Sequence, residues 1–157
     1  MISGVLTKEL AGHPDERGMF TEIIRKTDAF FSEGFGQLSH SYMVDGVVKA
    51  WHIHKTQIDW WYAASGTIKV ALYDLRETSS TYRMLSEFVI GDSGQKLVIK
   101  IPSGVAHGLK VIQGPANLIY ATSSVYNPAE EGRIRYDDPE IGYDWIQGKV
   151  ITNSNIT

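Results

Sequence analysis

The sequence predicts an all-β fold of the sandwich or jelly-roll type. Two observations lead there. Segments rich in β-branched and aromatic residues recur from residue 18 to 125, the composition that suits a pleated, half-buried surface. Turn-forming pairs punctuate them: Asp45-Gly46, Ser65-Gly66, Gly91-Asp92, Ser103-Gly104 and Gly114-Pro115. Many short strands at this spacing read as two packed sheets.

In chain order, strands are expected at 18–24 (GMFTEII), 37–43 (QLSHSYM), 47–54 (VVKAWHIH) and 59–64 (DWWYAA). Four more are expected at 67–75 (TIKVALYDL), 86–90 (SEFVI), 95–101 (QKLVIKI) and 117–125 (NLIYATSSV). The one helix-like piece is TDAFFSE (27–33), with Thr27 or Asp28 as its N-cap, so any helices are short and peripheral. The polar tail ITNSNIT is expected either to fray or to add a strand. No repeat interrupts the pattern, and a single domain over residues 1–157 is expected.

Composition narrows the partners. A net charge of −3 argues against nucleic acid or an anionic membrane. The chain has no cysteine, which excludes disulfides and thiol catalysis and fits a reducing compartment. No apolar run approaches the roughly 18 residues of a membrane span, and MISGVLTKEL lacks the basic start and apolar stretch of a signal peptide. A cytoplasmic domain is therefore expected.

The stretch KAWHIHKTQID, residues 49–59, carries the chemistry. His52 and His54 alternate on a strand, so a regular strand presents both to one face. Such a pair suits a metal; one histidine in a cleft suits a base; both can also be mere polar groups lining a barrel mouth. The span Gly46 to Gly66 resembles the first cupin motif, with Asp59 where most cupins have Glu. IPSGVAH (101–107) resembles the second motif, with Lys96 where a leading glycine is expected. The resemblance implies a cupin-type jelly-roll barrel in which His107 faces the pair. His52, His54, His107 and Asp59 are donor types suited to Zn, Fe, Ni or Mn.

A narrower resemblance runs from residue 13 to 145. HPDERGMFTEI (13–23), YDLRETSSTY (73–82), IPSGVAHGL (101–109), IYATSSVYNPAEEG (119–132) and DPEIGYDW (138–145) follow one another as similar segments do in the dTDP-4-dehydrorhamnose 3,5-epimerases. The chain resembles a short, divergent member of that family. The resemblance implies removal and return of protons at C3, C5 or both of a nucleotide-linked 4-keto-6-deoxysugar, with no metal or other cofactor.

Carried over by position, His52 matches the general base and Tyr120 the tyrosine that returns the proton from the other face. Tyr126 matches the residue packed against the nucleotide. Gln37 and Ser41 match polar residues of the sugar pocket, Lys49 a phosphate contact, and His54 and His107 stand among the substrate-binding positions. Arg17, Phe20 and Glu22 match residues that reach the neighbouring subunit's nucleotide, which implies a homodimer.

Three departures matter. Lys49 replaces an arginine and loses its planar fork. Asp59 replaces a lysine near the ketone, where a carboxylate repels an enolate. The family's later Ser-x-Arg-Asp segment, whose aspartate orients the catalytic histidine, is not found before Thr157. One expectation is that Asp59 takes over as the carboxylate holding His52. The alternative is a metal-dependent cupin using His52, His54, Asp59 and His107, in which the metal polarises the ketone. A third reading is a sugar-nucleotide-binding protein without catalysis.

Overall fold

Two long strands dominate the fold and carry it from one sheet to the other. The computed structural model of the chain describes residues 1–146. The tail ITNSNIT lies outside the described residues. In chain order the strands are β1 (Leu6–Glu9), β2 (Gly12–Asp15), β3 (Gly18–Thr21), β4 (Gln37–Met43), β5 (Val48–His54), β6 (Asp59–Asp74), β7 (Leu85–Gly91), β8 (Leu97–Ile101), β9 (Val105–Thr122) and β10 (Glu131–Arg133). No helix among the described residues is long and apolar enough to cross a membrane.

β6 and β9 pair antiparallel twice. Asp59–Ala63 pairs with Leu118–Thr122, and Ile68–Asp74 pairs with Val105–Val111, with the register shifting in between. The first half is flanked by β8 on one side and β4 on the other, giving a sheet ordered β1-β8-β6-β9-β4. The second half is flanked by β7 and β5, giving β7-β6-β9-β5-β10. Trp61, Ile99, Ile101 and Leu118 of the first sheet share one buried cluster with Val70, Leu72, Ile90 and Leu109 of the second. Burying each such aliphatic side chain contributes about 1.5–3 kcal/mol, so this interlayer core stabilises the sandwich. The result is the all-β jelly roll that the strand pattern predicts.

Several boundaries differ from expectation, each for a local reason. Ser65-Gly66 is not a turn between two strands but a kink inside β6. Gly66 has φ +71°, and a Cβ there would lie 2.7 Å from the Ala116 Cα, so only glycine lets the strand cross between sheets. Gly114-Pro115 likewise lies within β9, which begins at Val105 rather than 117 and ends at Thr122 rather than 125. The expected helix at 27–33 shrinks to a 3₁₀ turn at Ala29–Phe31. Asp28 caps nothing there, because its carboxylate accepts from the Arg25 N–H and from Lys8 instead. Ile23 and Ile24 leave β3 and pack with Trp60, Val98 and Phe31 on the outer face of the first sheet.

Candidate active site

Between the two sheets lies a cavity of about 400 Å³, within the usual size of ligand pockets. His52, His54, Lys49 and His107 enter it from the second sheet; Gln37, Ser41, Asp59 and Tyr120 enter from the first. Tyr126 borders it beyond the end of β9. Arg17, Phe20 and Glu22 do not line this cavity. They sit on or beside the exposed β2–β3 hairpin, where Arg17 pairs with Asp15, Glu22 pairs with Arg25, and Phe20 is 64% exposed.

Alternation alone puts Lys49 and His52 on opposite faces of β5, because they are three residues apart. The structure resolves this with a bulge. Lys49 pairs with Leu109 and His52 with His107, so three steps on β5 answer two on β9. The extra residue re-aims the strand: Lys49, His52 and His54 all reach the cavity. Trp51 turns outward against Trp145, ring centroids 5.0 Å apart.

His52 Nδ1 lies 2.7 Å from Glu131 Oε1. Burial lowers the His52 pKa below the ordinary imidazole value, and the Glu131 carboxylate opposes that in part. Glu131 is on β10, a strand the sequence did not reveal, and with Arg133 of the same strand it is a site residue that sequence reasoning missed. Its one trace was the Glu130-Glu131 pair in YNPAEEG. Asp59 therefore does not hold His52, contrary to expectation. Its carboxylate accepts from Gln57 Nε2 at 2.8 Å and Trp61 Nε1 at 3.1 Å, and it faces the other two histidines.

Those two frame the possible metal set. His107 Nδ1 lies 3.0 Å from the Val105 carbonyl. That acceptor places the ring hydrogen on Nδ1, and bare Nε2 faces Asp59 Oδ2 at 3.9 Å. Burial pushes the His107 pKa down to about 4, the Asp59 charge opposing, so the ring is neutral. His54 Nε2 is 3.9 Å from Asp59 Oδ1. Donor atoms of His54, Asp59 and His107 all lie within 4.8 Å of one another. A histidine whose other ring N–H is held by a carbonyl is the usual form of a metal ligand, so these three residues fit a transition metal. His52 is not part of this set, whose mutually close donor atoms belong to His54, Asp59 and His107.

The remaining polar residues are tied to one another. Lys49 Nζ donates to Ser41 Oγ at 2.7 Å, and burial pushes its ammonium pKa down. Gln37 donates to Ser39 Oγ at 2.9 Å and accepts the Tyr126 N–H at 3.0 Å. Arg133, a second cation at the cavity, lies 3.5 Å from Glu131 Oε1. The cavity therefore combines a neutral imidazole, a phenol on the facing sheet and two cations. That set can move a proton from one face of a carbon acid to the other and stabilise negative charge between them.

Comparison with known proteins agrees with this chemistry. The spore coat polysaccharide biosynthesis protein SpsL of Bacillus subtilis is 43% identical over 148 residues, covering 92% of this chain and 97% of that protein. The probable low-salt glycan biosynthesis epimerase Agl13 of Haloferax volcanii is 38% identical over 148 residues, covering 92% and 94%. The crystal structure of a dTDP sugar isomerase from Desulfovibrio desulfuricans superimposes with a TM-score of 0.87 at 28% identity, covering 95% of both chains. A Legionella pneumophila dTDP-6-deoxy-D-glucose-3,5-epimerase, solved in complex with dTDP-4-keto-L-rhamnose, gives a TM-score of 0.87 at 26% identity, covering 98% of this chain and 85% of that one. The family model for dTDP-4-dehydrorhamnose 3,5-epimerase matches residues 1–155; with nearly the whole chain matched, the protein belongs to the dTDP-4-dehydrorhamnose 3,5-epimerase family.

Proposed function

We propose that the protein epimerises a nucleotide-linked 4-keto-6-deoxysugar at C3, C5 or both, in the assembly of a polysaccharide or other glycan. The observation that carries this reading is the placement of His52 and Tyr120 in one cavity from facing sheets. The C4 ketone makes the adjacent C–H bonds acidic. His52, neutral near pH 7, takes the proton from carbon, and the electron pair moves onto the C4 oxygen as an enolate. Tyr120 donates its phenolic proton to the opposite face of the same carbon, which inverts the centre. Lys49 and Arg133 supply positive charge for the enolate or the diphosphate. The test is incubation with dTDP-4-keto-6-deoxyglucose in deuterium oxide. Deuterium at C3 or C5, seen by NMR and as mass gain, is expected; exchange no faster than in buffer overturns the reading.

We further place Arg17, Phe20 and Glu22 in the site of a second subunit. Their exposure on a hairpin outside their own cavity supports a homodimer in which each subunit completes the other's nucleotide site. The lack of cysteine and a nucleotide-linked substrate support a cytoplasmic setting.

A second reading draws on the His54, Asp59 and His107 donors lying within 4.8 Å of one another. These residues would hold a divalent transition metal, and the bound ion would supply Lewis-acid polarisation of the ketone. Elemental analysis of untagged protein separates the two readings: near-stoichiometric metal favours the second, and its absence after growth in metal-replete medium favours the first.

A further inference from the structure

We infer that Glu131 is the positioning residue of the proton-transfer machinery: it fixes the tautomer and the orientation of His52, so that Nε2 presents a bare lone pair to the cavity. The kinetic part of this inference rests on the epimerase reading; the spectroscopic part rests on geometry alone.

The contact defines the tautomer. An ionised carboxylate can only accept. Burial pushes the Glu131 pKa up, but the hydrogen bond from His52 and the nearby charge of Arg133 help to outweigh it, and the group stays below its ordinary value. Glu131 is therefore ionised at neutral pH. With its Oε1 at 2.7 Å, the ring hydrogen of His52 must sit on Nδ1. Nε2 is then the nitrogen free to take a proton. When it does, the imidazolium forms beside a carboxylate that is already in place.

The carboxylate is held rigidly. β10 pairs with β5 across Glu131–His54, Gly132–Ile53 and Arg133–His52. Beyond that ladder, Trp51 and Ile134 exchange backbone hydrogen bonds of 2.9 and 3.1 Å. On the other side, the Glu130 carboxylate accepts the Thr56 N–H at 3.0 Å and Thr56 Oγ1 at 2.6 Å. Both flanks of Glu131 are thus pinned, one to the strand that carries the histidine and one to the segment just after it. A Cβ at Gly132 would lie 2.7 Å from Ile53 Cγ2, so a larger residue there would press on the Ile53 side chain. The Glu131 side chain is only 12% exposed, unlike a surface ion pair. Arg133, 50% exposed and 3.5 Å away, adds charge without displacing His52.

The experiment compares wild type with Glu131→Gln and Glu131→Asp. In Glu131→Gln the shape is kept and the charge is lost. Its kcat is expected to fall about 100-fold or more, the scale of acid–base catalysis, with KM changed less than about threefold, since Glu131 acts through His52 rather than on substrate. Glu131→Asp should recover part of the rate. ¹⁵N NMR of free wild type above pH 7, with His52 assigned by loss of its signals in His52→Asn, should show a protonated Nδ1 and a bare Nε2. Glu131→Gln should show a mixture of tautomers. A wild-type His52 protonated on Nε2 overturns the inference. So does a Glu131→Gln variant with kcat within threefold of wild type and a single protonated Nδ1. If Glu131→Gln fails to fold, the wild-type spectrum and Glu131→Asp still decide. If wild type proves inactive on every 4-ketosugar, the epimerase reading fails while the nitrogen spectrum still judges Glu131.

Discussion

His107 Nε2 and Asp59 Oδ2 face each other at 3.9 Å in the floor of the cavity, both side chains at most 5% exposed. Each is an acceptor, because the hydrogen of His107 is spent on the Val105 carbonyl. Two buried acceptors turned toward one another favour a cation between them. On the metal reading, Zn²⁺ titrated into metal-free protein binds with measurable heat in calorimetry. Asp59→Asn is expected to weaken that binding at least about 10-fold, since even losing an outer-shell partner costs about 10–100-fold. Identical heats for wild type and variant would exclude the three-residue metal set.

The reaction should keep its rate into mildly acidic solution. His52 works as a base only when neutral, and burial lowers its folded pKa below the ordinary 6.5. The acid limb of kcat/KM for the free enzyme is therefore expected below pH 6.5. A limb at or above pH 7 would mean that another group carries the proton.

Arg17→Ala should weaken nucleotide binding although Arg17 lies outside its own subunit's cavity. A charge-assisted hydrogen bond is worth about 1.5–3 kcal/mol, so a loss of roughly 10-fold or more in dTDP affinity is expected by calorimetry. Unchanged affinity would remove this hairpin from the neighbouring site.

Asp74 is the most exacting buried charge away from the cavity. Its side chain, 0% exposed, accepts from Arg76 Nε at 2.8 Å, Ser79 Oγ at 2.7 Å and Thr81 Oγ1 at 2.7 Å. Burial raises its pKa, but these bonds outweigh that and hold the carboxyl well below 3.8. A depressed carboxylate stabilises the fold above its unfolded pKa, and that stability is lost as pH falls toward the folded value. Asp74→Ala strands Arg76 and is expected to cost about 3–5 kcal/mol in urea denaturation. A loss under 1 kcal/mol would show the turn to be dispensable.

The strands with strong alternation or apolar density were legible: β4 lies where QLSHSYM put it, and β5 begins one residue late. What escaped was either short or continuous. β1, β2 and β10 have three or four residues each and owe their existence to a partner strand rather than to their own composition. β6 and β9 were cut at Gly66 and Gly114, because a glycine that ends a strand and one that lets a strand cross between sheets look alike in sequence. The same blindness hid Glu131, whose meaning comes from β10 pairing with β5. Lys49 escaped parity for a further reason, since a bulge is set by tertiary pairing.

The double pairing of β6 and β9 has a mechanical consequence. His107 and Tyr120 are borne by one unbroken strand, as are Asp59 and the second-sheet residues after Gly66. The two walls of the cleft are thus welded by continuous backbone where β6 and β9 pass from one sheet to the other. The spacing between His107 and Tyr120 is set by that backbone, and a bulky ligand must come and go over the rim, past Tyr126. Altering which ligand is accepted is then a task for the rim, while the spacing across the cleft is inherited from the weld.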